Sequence, residues 1–527
     1  MEHLKQRAEK AAGSAERFLR GRAFLWCCVV VAGLCVAHRM SLQPFSAWDD
    51  IRLARTFALL AGQQIYPGPA DGPLHAGIYG PVGFALYSPA AVFTSPNPAL
   101  ATGVFLSIVM GFVPVVLIFW DPRTASEVCP RFRALLMCAV FFHFYFASAQ
   151  LGLWIIHVDA PAVFLAALGL YCAARHGGRD TFSWALGASI VFFALAPWAK
   201  QTVALAMLAP PFYFWCLGNR RSALQFVLGL AVASCFLGAL FGAWFGFDRL
   251  VFSMMTMPSR HPFDLSGIGD AQRQVEDFLD IALLAALLVV AVLLLRGEQA
   301  GTQAGRREQI FDWNVWPIFL AATIFVLPAA ILGRLKEGGA DNNYGPVDYF
   351  LTIAVVLCLL RFTARPAFRA HRVLPGALAV ALGLLLSMQL LRAMPTVASL
   401  RGRVPAFLQG TPSQEAFEFA RRNPGKTFFA WHPLGPLLAE GRLYHISYGV
   451  HQRDLAGFEV TPSHLRAHLP PRMEYVVVKS VVEPFTLKLA PEFTCETSID
   501  GLPGWTVWVR PEHSACPAAA SNQSAAP

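Results

Sequence analysis

Apolar runs long enough to cross a bilayer recur from the start of this chain to residue 392, and they leave little choice of architecture. We count eleven, at 23–38, 99–120, 133–152, 158–174, 184–198, 201–217, 223–246, 279–296, 314–333, 347–361 and 373–392. About 20 apolar residues cross the ~30 Å hydrocarbon layer as a helix, because lipid offers no partner to an exposed backbone N–H or C=O. Composition agrees, since only 14% of the residues are charged against roughly 25% in a soluble domain. The expected fold is an all-α polytopic membrane domain of about 11 transmembrane helices over residues 23–392.

The basic residues give that domain an orientation. Twenty Lys and Arg, from Lys5 to Arg372, fall on the N-terminal segment 1–22 and on the connections sharing its side, and nine, from Arg39 to Lys336, on the opposite short connections. The positive-inside rule puts residues 1–22 in the cytoplasm, and an odd number of spans puts the C-terminal part outside. The net charge of +9 is thereby a topology signal, and nucleic acid is not an expected partner. The first run has the basic flank of a signal peptide, but Ala37-His38-Arg39 is a poor cleavage site, so a retained anchor is expected. The location that follows is a multi-pass protein of the plasma (inner) membrane, in contact with membrane lipids.

After residue 392 charges, prolines and alternating stretches replace the apolar runs. Residues 393–516 read as a small C-terminal α/β extracytoplasmic domain, with a helix over 413–422, a turn at Asn423-Pro-Gly and strands at 427–431, 475–479 and 504–509. Residues 517–527 are Ala/Ser/Pro-rich and read as a disordered tail. Nine of the eleven cysteines lie in or beside apolar runs and read as packing residues. Cys495 and Cys516 stand in the outside domain, where they either pair as a disulfide or remain two unpaired thiols.

The outside connections gather the ionisable groups. Asp49 and Asp50 follow the first run, with Arg52 and Arg55 behind them; His157 and Asp159 head the fourth run; Lys200 and Gln201 lie between the fifth and sixth; Arg334, Lys336, Asn343 and Tyr344 precede the tenth. An unpaired charge at membrane depth costs about 2–3 kcal/mol on insertion scales, so such groups need partners or a task. An ionised Asp can take a proton from an incoming hydroxyl or amine. Neighbours on a helix point about 100° apart, so Asp49 and Asp50 cannot both face one atom, and which is the base stays open. Lys200, Lys336, Arg52 and Arg55 suit a phosphate leaving group, although Arg52 can instead pair locally with Asp49.

Behind the acids Ile51, Ala54, Phe57, Ala58 and Ala61 recur at helical spacing and predict an amphipathic helix on the membrane surface, ending at Gly62. Tyr66-Pro, Tyr79-Gly-Pro and Tyr87-Ser-Pro then describe a rigid extended loop with tyrosines at interface height, whose rings anchor at the interface or stack on sugars.

Taken together, the outside acid pair after span one, the surface helix closing in Ala-Gly, His157-Val-Asp159, Lys200-Gln201 and the Gly-Gly-x-x-Asn-Asn-Tyr loop resemble the GT-C superfamily of integral-membrane glycosyltransferases. Protein O-mannosyltransferases and the lipid A aminoarabinose transferase belong to that superfamily. The resemblance implies a hexosyl- or pentosyltransferase that moves a sugar from a polyprenyl-phosphate donor, with inversion, to a glycan, lipid or protein acceptor outside the membrane. It implies Asp49 or Asp50 as the base, Asp159 as an acid assisting the acceptor or holding a metal, and Arg334, Lys336 and Lys200 on the lipid phosphate. Asn343 and Tyr344 would lie near the sugar, with Arg52, Arg55, Tyr66, Tyr79, His157 and Gln201 completing the substrate site. No cofactor is required by the residues themselves, and the resemblance admits a divalent metal. A transporter or flippase of lipid-linked glycans is the alternative, but it calls for ionisable residues in mid-span, whereas here they gather at helix ends.

Overall fold

The structure, a computed structural model, describes residues 22–42, 45–75, 77–121, 128–177, 179, 181–265, 315–365, 368, 374–479 and 490–516. Every apolar run except 279–296, which lies outside the described residues, falls on helix. The N-terminal segment before Arg22 and the tail 517–527 also lie outside them. Six of the described helices are long and apolar enough to cross a membrane: Arg22–Leu42, Pro96–Trp120, Arg220–Phe245, Trp316–Arg334, Asp341–Thr363 and the one starting at Leu374. Asp159–His176 is the core element. It is apolar all round and buried along nearly its whole length, as expected of a helix with no lipid-facing side.

Chain breaks at the helix ends do the positioning. Trp184–Leu195 tightens into a 3-10 turn at Ala196–Trp198, where Pro197 cannot continue an α-helix, and Lys200 follows in extended backbone (φ −148°) before helix resumes at Gln201. The run 133–152 likewise divides into Pro130–Phe146 and a 3-10 turn over Ser148–Leu153.

The expected amphipathic helix exists at Ala47–Leu60, and it ends as its sequence requires. Gly62 takes φ +69°, and Gln63 and Gly62 donate their N–H groups to the carbonyls of Ala58 and Leu59, closing the last turn with a left-handed glycine. Its setting differs from the expectation of a helix resting on the membrane surface. Asp49, Asp50, Leu53, Ala54, Thr56 and Ala58 are fully buried, because the helix is wedged between Pro81–Ala85 and Pro96–Trp120 on one side and the C-terminal Leu434–Glu440 helix on the other. Amphipathic spacing identifies the buried stripe without saying whether lipid or protein covers it.

The C-terminal part is built on a four-stranded sheet of order β1-β2-β4-β3, where β1 is Thr427–Phe429, β2 Tyr475–Val478, β3 Cys495–Thr497 and β4 Thr506–Val509. β1 runs parallel to β2 and the other pairs are antiparallel, with Phe428 opposite Val476 and Val477 opposite Val507. Alternation sends Phe428, Val476, Val478 and Trp508 to one core, and Phe429, Val477, Val507 and Val509 to a second under the Pro412–Arg422 helix. Cys495 and Cys516 are joined in a disulfide. The boundary expected at 392/393 is not a break, since the Leu374–Gln409 helix carries straight through it.

The two parts interlock through the loop that follows the Ala47–Leu60 helix. Leu74 is buried in the first sheet core; its N–H donates to His445 Nδ1 (2.8 Å) and its C=O accepts from Ile446 N–H (2.8 Å). Arg453 donates to the carbonyls of Gly68 and Pro69, and Gln63 bridges Gly441 and Leu443. Gly449 lies so close to this loop that a Cβ there would stand 2.5–2.6 Å from the backbone of Leu74 and His75. Gly449→Ala is therefore expected to cost about 1–3 kcal/mol of overpacking and to expose residues 67–75 to protease. Gly238→Ala, with nothing within 4 Å of the added methyl, serves as the control in the same melting and proteolysis assays.

Candidate active site

Asp49, Arg52 and Arg55 stand at three-residue spacing and so share one stripe of their helix. Asp49 Oδ1 accepts the Ile156 N–H at 2.8 Å and lies 3.8 Å from the Arg52 guanidinium, which also covers the Trp48 ring at 5.5 Å. Its second oxygen, Oδ2, is buried without a hydrogen-bond partner. Burial is the largest influence on this carboxyl and, with the negative Asp50 beside it, outweighs Arg52 and the Ile156 N–H, raising its pKa to about 7. Arg55 is 2% exposed and packs over Phe84 at 5.2 Å, with Nε and Nη2 unpartnered.

Asp50 points the other way, as neighbouring helical positions must. Its Oδ1 accepts the Leu434 N–H at 2.7 Å at the start of the Leu434–Glu440 helix, and His432 Nδ1 stands 3.6 Å from Oδ2. The pair is thereby divided: Asp49 faces the helical bundle and Asp50 ties down the C-terminal part.

A second buried centre forms around Asp159. Lys200 Nζ donates to Oδ1, while Oδ2 takes Asn342 Nδ2 at 2.6 Å and lies 2.7 Å from His157 Nδ1. Burial pushes His157 down to about pKa 4, and its Nδ1 faces both the Asp159 carboxylate and the Asp159 backbone N–H at 3.3 Å. The Tyr79 ring meets His157 edge-on at 5.8 Å, Tyr66 donates to the Tyr79 carbonyl at 2.8 Å, and Gln201 donates to Ile78 and Met254 carbonyls. Connections far apart in the chain thus meet at one end of the bundle.

Several residues expected at the substrate are held by protein groups. Lys200 is neutralised by Asp159; Arg334 binds Asp341 at 3.2 Å and the Gly339 carbonyl; Lys336 donates to the Pro258 carbonyl at 2.5 Å. These three expected phosphate ligands are engaged by protein groups, while Arg55 keeps free donors. Asn343 bonds Ala340 within its own turn and Tyr344 packs on the apolar core, so it is Asn342 that reaches Asp159. Tyr66 is wholly buried with its ring edge-on to Phe245, and no face of it is open to a sugar.

His432, Trp431 and Tyr448 carry no site role in the sequence reading, and Asn342 enters it only as part of the Asn-Asn-Tyr motif. Trp48, Trp431 and Tyr448 form a cluster of edge-on rings beside Asp49, at 5.2 Å and 4.6 Å from Trp48. Asn342 was within reach of sequence reasoning as the neighbour of Asn343; the others sit in segments with no local signal of chemistry. A divalent metal at Asp159 does not fit the donors present. Both carboxylate oxygens already face N–H groups, one of them an ammonium, and among the described residues no group of three or more His, Cys, Asp or Glu is gathered to hold an ion.

Two expectations follow. Asp49 has its folded pKa raised from 3.8 to about 7, so its contribution to stability is full below pH 3.8 and is lost as pH rises through 7. Difference infrared spectra are expected to show a protonated carboxyl titrating near pH 7, absent in Asp49→Asn and moved to higher pH in Arg52→Gln. Lys200→Met strands a buried carboxylate and is expected to cost about 3–5 kcal/mol, seen as a lower melting midpoint. Asp159→Asn added to it should recover part of that loss.

No protein-family model matches the chain, and no curated protein matches it. Among solved structures it is similar to the Archaeoglobus fulgidus oligosaccharyltransferase complexed with zinc and sulfate, at 12% identity and TM-score 0.43, covering 92% of this chain and 73% of that one. The same archaeal enzyme tethered through a disulfide to an acceptor peptide containing the NVT sequon gives 12% identity and TM-score 0.41, over 94% and 74%.

Proposed function

We propose that this chain is a GT-C-type membrane glycosyltransferase of about eleven spans, with a cytoplasmic N-terminus, that transfers a sugar from a polyprenyl phosphate to an acceptor on the outer side. The observation that carries the reading is the stripe Asp49-Arg52-Arg55, where a buried carboxylate oxygen and a buried guanidinium, both without partners, stand on one helix face. Burying two such groups unpaired is costly in a folded protein unless a ligand completes them.

In this reading Asp49, ionised above pH 7, takes the proton of an acceptor hydroxyl at Oδ2. The acceptor oxygen attacks the anomeric carbon from the face opposite the phosphate, and the sugar–phosphate C–O bond breaks with its electron pair going to phosphate oxygen. That geometry inverts the anomeric centre. Arg55 and Arg52 stabilise the charge gathering on the phosphate, where fixed cations away from water act most strongly. Asp159 and Lys200 hold the outside connections in register and keep the 341–344 turn over the site through Asn342. Asp50 positions the C-terminal part, which closes the site from above.

Asp49→Asn is expected to lower transfer by about 10²–10⁴-fold, with wild-type activity rising with pH through about 7. Asp50→Asn should lower it less and make residues 67–75 more sensitive to protease. The direct test is mass spectrometry of lipid retained by protein purified in mild detergent: an isoprenyl-phosphate sugar in wild type and in Asp49→Asn, depleted in Arg55→Gln. Full transfer by Asp49→Asn would sink the assignment of the base. Only bulk phospholipid in all three preparations would sink the donor class.

A further inference from the structure

The Leu374–Gln409 helix carries a charge pattern that the site does not use. Its first part presents Leu384, Met388 and Leu391, exposed at 66%, 43% and 71%, at the three- and four-residue spacing of a single lipid-facing stripe. From Leu374 to Leu391 the helix rises roughly 27 Å, close to the ~30 Å hydrocarbon thickness, which sets the next residue at the headgroup level. That residue is Arg392. Arg401 and Arg403 follow, all three exposed, together with exposed Met394 and Val404.

The end of the first helix joins them. Arg39 covers the Tyr145 ring at 5.0 Å, Arg392 covers the neighbouring Phe146 at 4.6 Å, and Arg39 and Arg403 both lie within electrostatic reach of His38. The helix therefore does not stand away from the membrane beyond residue 392. Its far end is held low as well, since Thr411 bonds Asn97, at the first turn of the Pro96–Trp120 helix. The whole Leu374–Gln409 sequence contains no acidic residue, and among the described residues no carboxylate pairs with Arg39, Arg392, Arg401 or Arg403. This is the face that carries the acid site and is the poorer of the two in basic residues, so the topology rule does not account for the patch.

We infer that Arg39, Arg392, Arg401 and Arg403 form a docking surface for anionic phospholipid headgroups of the leaflet on the side of the acid site. The occupant follows from chemistry and place. Four guanidiniums at headgroup height, flanked by exposed Leu, Met and Val, match a phosphodiester above acyl chains, and guanidinium is the side-chain cation best shaped for phosphate oxygens. A juxtamembrane basic residue is worth about five-fold in affinity for an anionic surface, and the attraction is screened by salt. The inference stands whatever reaction the acid site performs.

The test reconstitutes the full chain in phosphatidylcholine nanodiscs with a minor share of phosphatidylglycerol and counts the lipids retained after mild detergent extraction by native mass spectrometry. Phosphatidylglycerol is expected above its bulk share, falling about five-fold in R392Q and further in R392Q/R401Q/R403Q, and falling in wild type at high salt. A melting midpoint unchanged in the triple variant shows that the fold is kept; R39Q gives an independent variant on the other helix should the triple one unfold. Bulk composition in wild type overturns the inference, as does enrichment that survives in a folded triple variant. Retention of an isoprenyl phosphate instead, lost in the triple variant, also overturns it by assigning the patch to a different lipid.

Discussion

The position of the Ala47–Leu60 helix governs the rest of the molecule. It is a charged helix driven between two apolar bodies, and every polar atom it carries inward without a partner is costly because water does not reach it. Asp49 is matched in half by the Ile156 N–H and Arg52, and Asp50 in half by the first N–H of the Leu434–Glu440 helix. The second contact makes the C-terminal part a structural component of the site. Without it a buried carboxylate would lie open, and the loop that carries Leu74 would lose the core into which it is inserted.

Pairing across the remaining charges separates those that hold the structure from those with capacity left over. Asp159 collects Lys200, Asn342 and His157 from segments up to 185 residues apart in the chain, with the Asn342 contact alone spanning 183. Such a centre fixes geometry, and breaking it from one side leaves a naked charge. Arg334 is likewise used within its own loop, on Asp341, and Lys336 on the Pro258 carbonyl of another segment. Among the buried polar atoms left without a partner, Asp49 Oδ2 and Arg55 Nε and Nη2 share one helix stripe, which sets an oxygen able to accept a proton beside donors shaped for an anion.

The helical bundle was legible in the sequence to an unusual extent, because lipid enforces it: apolar length and the grouping of ionisable residues at helix ends are one-dimensional properties. The C-terminal strands at 427–429, 475–478 and 506–509 were legible through alternation, whereas β3, with its short and mostly polar Cys495-Glu-Thr, carried too little pattern to read. The Ala47–Leu60 helix was legible as amphipathic, but not the identity of what covers it. Tyr66 was legible as an aromatic near an interface and proves to be a buried spacer.

By itself, then, the sequence determined where the described helices form and that Asp49, Arg52 and Arg55 lie along one helical face, since both follow from hydrophobic length and the 3.6-residue period. Tertiary structure alone decided which acid faces the bundle and which the C-terminal part, that Asn342 and not Asn343 reaches Asp159, and that Lys200 is spent on a carboxylate while Arg55 is not. Those outcomes depend on which N–H or ammonium from a distant segment arrives within about 3 Å of a given oxygen, and no local pattern encodes a partner that lies a hundred or more residues away.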